Sequence, residues 1–130
     1  MRPATAISSA GAPAPVGPYS QARRHGDLLF ISGQLPLDPQ SGEMAVGPEE
    51  QMRRALLNVA AIAEAAGASM ADVVKTVVLV TDLSIFGRLN AIYGTFFEAP
   101  YPARATYQVA ALPMGATVEI EAVVALPPAA

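Results

Sequence analysis

The chain has 130 residues, no cysteine, a single histidine and a formal net charge of -3 with an isoelectric point near 5.0. These figures exclude disulfides, thiolate catalysis, sulfur-based zinc sites and a multi-histidine metal site within one chain. The short basic pairs Arg23-Arg24 and Arg53-Arg54 read as solvated surface and form no phosphate-binding stripe, so no nucleic-acid partner is expected.

At 52% hydrophobic and 15% charged, with a mean hydropathy of +0.36, the chain is apolar for a small soluble monomer, so another surface is expected to cover part of it. No run approaches the roughly 18 apolar residues of a membrane span. The start, Met1-Arg2-Pro3 followed by Ala, Ser and Pro, has no apolar signal core. The expectation is one cytoplasmic domain over residues 1–130, without membrane association.

In chain order, a short strand near Thr5 is followed by an Ala-, Gly- and Pro-rich loop over residues 10–18. Strands over 20–24 and 28–32 flank His25-Gly26-Asp27, whose glycine marks a hairpin turn and puts His25 at a solvated tip. Turn formers fill residues 36–42. Gly47-Pro48-Glu49-Glu50 then starts a helix over 48–66, with Met52, Leu56, Val59, Ile62, Ala63 and Ala66 on one face and Gly67 as its C-terminal cap. Residues 73–81 form a β-branched inner strand. Asp82 or Ser84 caps a second helix carrying Phe86, Leu89, Tyr93 and Phe96 on one side and ending before Pro100. Strands over 103–110 and 117–126 close the chain.

The order β-β-α-β-α-β-β predicts an α+β fold, a mixed sheet backed on one face by two helices. Val118, Ile120, Ala122, Val124 and Leu126 alternate toward one side of the last strand, and Val123 and Ala125 toward the other, as do Val77 and Leu79 earlier. That second face is too apolar to stay wet, and sheet-on-sheet packing of further copies would bury it.

Two strands carry candidate chemistry. Period-two geometry puts Arg104, Thr106 and Gln108 on one face, and Glu119 and Glu121 on one face of the next strand. If the strands are neighbours, a guanidinium and a carboxylate meet in one cavity. On residue types alone, a plain ion pair across the ladder explains them as well as catalysis does.

The run Pro102-Ala-Arg-Ala-Thr-Tyr-Gln-Val-Ala-Ala-Leu112, followed after five residues by Val118-Glu-Ile120, resembles the C-terminal pattern of the RidA (YjgF/Rid) family of reactive intermediate imine/enamine deaminases. Gly17-Pro-Tyr-Ser-Gln-Ala22, Ile31-Ser-Gly-Gln-Leu-Pro36, Asn58, Val73-Val-Lys-Thr76 and Asn90-Ala-Ile-Tyr93 resemble further family segments in order, so the likeness spans Val16 to Val124. The resemblance implies a single RidA-like domain with a chorismate mutase-like fold, a homotrimer with clefts between subunits, and hydrolysis of 2-imino and enamino acids to a 2-keto acid and ammonia. This is the activity of a 2-iminobutanoate/2-iminopropanoate deaminase. It also implies that Arg104 holds the substrate carboxylate, that Glu119 positions the water, and that Tyr19, Ser32, Gly33, Asn90 and Thr106 line the cleft. Threonine at 106 departs from the cysteine or serine common there, which leaves a backbone contact intact but could alter substrate preference.

The residue types suit that reaction. A guanidinium grips a planar carboxylate by two parallel hydrogen bonds, and an iminium carbon accepts a water that a carboxylate merely orients and deprotonates. No metal, nucleotide or redox cofactor is called for. A translation inhibitor or endoribonuclease, as some members of the family are described, and a catalytically silent ligand-binding trimer are the rival readings. The acidic balance counts against the first, and retention of both Arg104 and Glu119 against the second.

Overall fold

The computed structural model describes residues 5–128, so the reading of Met1-Arg2-Pro3 lies outside the described residues. Eight principal elements follow one another: β1 (Thr5–Ile7), β2 (Ala22–His25), β3 (Leu28–Gln34), α1 (Pro48–Ala65), β4 (Val73–Val80), α2 (Phe86–Gly94), β5 (Ala103–Gln108) and β6 (Val118–Ala125). The strands form one six-stranded sheet in the order β1-β2-β3-β6-β4-β5. Only β4 and β5 pair in parallel, as the α2 crossover between them requires.

The ends of α1 follow from its sequence, whereas α2 stops short of the expected Phe96. Pro48 opens α1 with Glu49 and Glu50 in the first turn. At the far end Gly67, with φ 83, turns the chain so that its N–H bonds Glu64 O and the Ala68 N–H bonds Ala63 O, the paired closure of a Schellman cap. The Asp82 carboxylate accepts from Ser84 N and caps a 3-10 turn that leads into α2. α2 stops at Gly94, before Phe96, and Tyr93 and Phe97 are the aromatics that go into the core, their rings 4.8 Å apart.

Cross-strand partners share a face, so the ladder sorts the sheet. Ala22, Leu29, Ile31, Thr76, Val78, Val80, Val118, Ile120, Ala122 and Val124 lie under the helices, and Met52, Leu56, Val59, Ile62, Leu89 and Tyr93 pack onto them. This is the alternation read from β6. Leu28, Phe30, Val77, Leu79, Tyr107, Val123 and Ala125 fall on the other face, which no helix covers. Phe30 there is 46% exposed and Tyr107 56%.

Two expectations need correcting. Arg54 is only partly solvated: its Nε and Nη2 donate to Asn58 Oδ1 at 3.0 and 2.8 Å, while the fully buried Asn58 Nδ2 donates to the carbonyls of Leu35 and Leu37. That network carries the chain from β3 into its loop without stranding buried carbonyls. β5 and β6 are also not neighbours, because β4 lies between them.

Candidate functional site

Arg104 and Thr76 are partners in the β4–β5 ladder, so Arg104 leaves the sheet on its helix-bearing side. There α2 supplies its surroundings. The guanidinium carbon lies 4.8 Å from the centre of the Tyr93 ring and 5.3 Å from that of Phe86, and Nη1 donates to Asn90 Oδ1 at 2.6 Å. Burial pushes the Tyr93 phenol above its ordinary value, against smaller opposing effects of its hydrogen bond to Thr76 and of Arg104, so the ring stays neutral. Asn90, Tyr93, Gly94, Tyr101, Pro102 and Arg104 surround an open cavity of about 510 Å³.

β5 is the open edge of the sheet. Val109 N donates to Val80 O, and the alternation of a parallel ladder then turns the N–H and C=O of Arg104, Thr106 and Gln108 outward, away from β4. Thr106 therefore offers its backbone at the edge. Its hydroxyl is buried and has no hydrogen-bond partner.

Glu119 lies on the opposite face, where it pairs with Leu79 across the ladder. Its carboxyl is pushed above the ordinary carboxylate value, first by burial and then by the like charge of Glu121 two residues on. The register between β3 and β6 shifts between Ile31 and Gln34: Ile31 faces Ala122 and Gln34 faces Ile120, so Ser32 and Gly33 together oppose Glu121. This bulge bends the strand beside the carboxyl. A Cβ on Gly33 would lie 2.9 Å from both Cδ and Oε2 of Glu119, so only a residue without a side chain lets the carboxyl rest against the backbone.

Ser32 and Tyr19 frame the same region. Ser32 Oγ donates to Ser20 O at 2.6 Å and its N–H to Gln21 O at 2.9 Å, while Tyr19 OH accepts from Val16 N at 3.3 Å. Buried Gln21 holds the loop in front of them, its Oε1 accepting from Ser9 N and its Nε2 donating to Pro13 O. Tyr19 and Ser32 line a groove of about 550 Å³ shared with Arg23, Phe30, Lys75, Glu121 and Val123.

The seven candidate residues therefore fall into two groups. Tyr19, Ser32, Gly33 and Glu119 gather on the uncovered face, and Asn90, Arg104 and Thr106 gather at the β5 edge under α2. The single cavity holding both Arg104 and Glu119, expected on the premise of neighbouring strands, does not form within one chain, because the intervening β4 and the opposite faces keep them apart. Among the described residues the ion pairs are Arg53 with Glu50 and Arg88 with Glu49, so Arg104 and Glu119 are not joined in a structural pair. Phe86, Tyr93 and Thr76 escaped the sequence reading as site residues because their spacing matches core positions. The signal that finds them is ladder register, which puts Thr76 beside Arg104 beneath α2. No group of three or more metal-ligating side chains gathers among the described residues.

The family described as endoribonuclease L-PSP matches over residues 9–126. The chain is 56% identical over 121 residues to a RutC family protein of Sinorhizobium fredii, covering 92% of this chain and 96% of that one. It is 51% identical over 118 residues to the mouse protein named 2-iminobutanoate/2-iminopropanoate deaminase, covering 90% and 87%. Its fold superposes with a TM-score of 0.92 on a crystal structure of RidA from an Antarctic Psychrobacter, 48% identical and covering 94% of this chain and 99% of that one. It superposes with a TM-score of 0.91 on Escherichia coli TdcF with bound serine, 41% identical and covering 95% and 99%. With its motifs in order, its sheet and helices in the same arrangement and this degree of identity, the chain belongs to the RidA (YjgF/Rid) family.

Proposed function

We propose that the protein is a hydrolytic deaminase of small 2-imino and enamino acids, and that it works as a homotrimer whose sites form between subunits. The observation that carries this reading is the separation of Arg104 and Glu119. Each is held in a prepared setting on its own side of the sheet, and neither is neutralised by the other. A second copy packed on the apolar face would bring the Arg104 edge of one protomer to the Glu119 face of the next. The deaminase names of relatives near 50% identity support the same substrate class.

In that cleft Arg104 takes the substrate carboxylate through two parallel N–H donors, and the outward N–H of Thr106 adds a third at the edge. The iminium carbon is already electrophilic. The Glu119 carboxylate orients a water and accepts its proton as the water oxygen bonds to that carbon. Returned to the nitrogen of the resulting carbinolamine, the same proton makes ammonia the leaving group; as the C–N bond breaks, the carbinolamine hydroxyl gives its proton to Glu119, which passes it to the departing ammonia, leaving the 2-keto acid and ammonium. Glu119 ends as it began. Its raised pKa suits this alternation better than that of an ordinary surface carboxylate.

The test is release of ammonia and keto acid from 2-aminoacrylate generated freshly by a dehydratase, measured against the uncatalysed decay of the imine. Acceleration proportional to protein concentration is expected. Decay at the uncatalysed rate would remove the reading.

A further inference from the structure

We infer that Tyr93, tied through its hydroxyl to Thr76, is a positioning residue that fixes the Arg104 guanidinium for carboxylate binding; the inference rests on the deaminase reading for its functional meaning. The ladder sets Thr76 and Arg104 side by side on the helix-bearing face, and α2 lowers Tyr93 onto both. Its hydroxyl lies 2.7 Å from Thr76 Oγ1 in the core. Its ring packs at a tilt against Phe97 and lies 4.8 Å from the guanidinium carbon of Arg104, with Phe86 at 5.3 Å. If core packing alone decided this position, phenylalanine over valine would serve, because two buried hydroxyls are tolerable only as a pair. Here the pair fixes where the ring sits.

That matters because Arg104 is an exposed residue on an edge strand, with four rotatable bonds between backbone and fork. The aromatic rings hold the guanidinium by cation–π contact and not by hydrogen bonds, and Asn90 occupies one donor on Nη1. The remaining donors stay free in a fixed plane. An ion pair would have held the arginine just as firmly, but it would have occupied the donors a carboxylate needs.

The test compares Tyr93→Leu, Phe86→Leu, Tyr93→Phe and Thr76→Val in the assembled protein, reading kcat and KM separately together with 15N relaxation of the Arg104 side chain. Loss of a ring weakens carboxylate binding in ground and transition states alike, so Tyr93→Leu and Phe86→Leu should raise KM about tenfold with kcat nearly unchanged. The Arg104 Nε–H signal should move toward the mobility of an exposed arginine. Tyr93→Phe and Thr76→Val each keep the ring but break the same buried hydroxyl tie, so both should fall between wild type and the ring-deleted variants. Phe86 is only half-buried, so Phe86→Leu decides the matter if Tyr93→Leu does not fold. A folded ring-deleted variant with wild-type KM and an Arg104 as ordered as in wild type overturns the inference. Should the wild type prove inactive on imines, the deaminase reading fails, and Arg104 order in the same four variants still decides whether Tyr93 positions it.

Discussion

At the residue scale, the proposed reaction gives Arg104 and Glu119 different tasks, so they should fail differently. Arg104→Ala removes the two-point grip and should lower kcat/KM by about 100- to 1000-fold. Arg104→Lys should fail nearly as badly, since an ammonium keeps the charge but has no planar fork. Glu119→Gln should still bind a 2-keto acid and lose mainly kcat, because an amide cannot take the proton from water. Keto-acid titration beside steady-state kinetics separates the three. The pH profile follows from the raised Glu119 pKa. The working form is the anion, so rate falls as pH drops through that pKa, and the acidic limb should lie above the range of an ordinary glutamate. Glu121→Gln removes the second cause of the shift, leaving burial, and should move the limb to lower pH. A limb that stays where it was in Glu121→Gln would mean that another group controls it.

At the element scale, the β3 bulge and the β5 edge would form the walls of the proposed site. Gly33→Ala puts a methyl where the Glu119 carboxyl rests, and the flexible end of that side chain must yield. The fold should tolerate this, with a melting temperature within about 3 °C of wild type, while kcat drops on the order of tenfold to a hundredfold because the carboxyl is displaced. Thermal unfolding and kinetics on one preparation check both halves. Elements of this kind were legible in the sequence to different depths. The helix ends at Pro48 and Gly67, the hairpin at Gly26 and the in–out alternation of β6 follow from local chemistry that neighbouring residues already state. The order of strands does not. Nothing within 103–110 or 117–126 reveals that β4 inserts between them, since that arrangement arises from the crossover through α2. The premise that the two strands adjoin therefore failed, and with it the one-chain cavity. Arg54 was misread for a related reason: its partner, Asn58, is buried by a loop distant in sequence, whereas a basic pair seen along the chain looks like surface.

At the scale of the whole molecule, the proposed trimer would account for the apolar composition and the uncovered sheet face together. Light scattering should report about three chains at micromolar concentration. Val123→Asp should weaken assembly, because a charge buried without a partner costs several kcal/mol. A monodisperse, active monomer would contradict the whole scheme. No helix among the described residues is long and apolar enough to cross a membrane.

The most direct measurement is complementation between two disabled chains. Arg104→Ala and Glu119→Gln variants, each prepared alone, should be nearly inactive. Co-expressed with different affinity tags and purified through both, they form mixed assemblies in which an intact Arg104 of one chain meets an intact Glu119 of another. If the site is shared between copies, each mixed trimer has one of its three sites intact, so roughly a third of wild-type turnover per site should return. If mixed assemblies remain as inactive as the separate variants, Arg104 and Glu119 do not serve one site from two chains, and the account is contradicted at its centre.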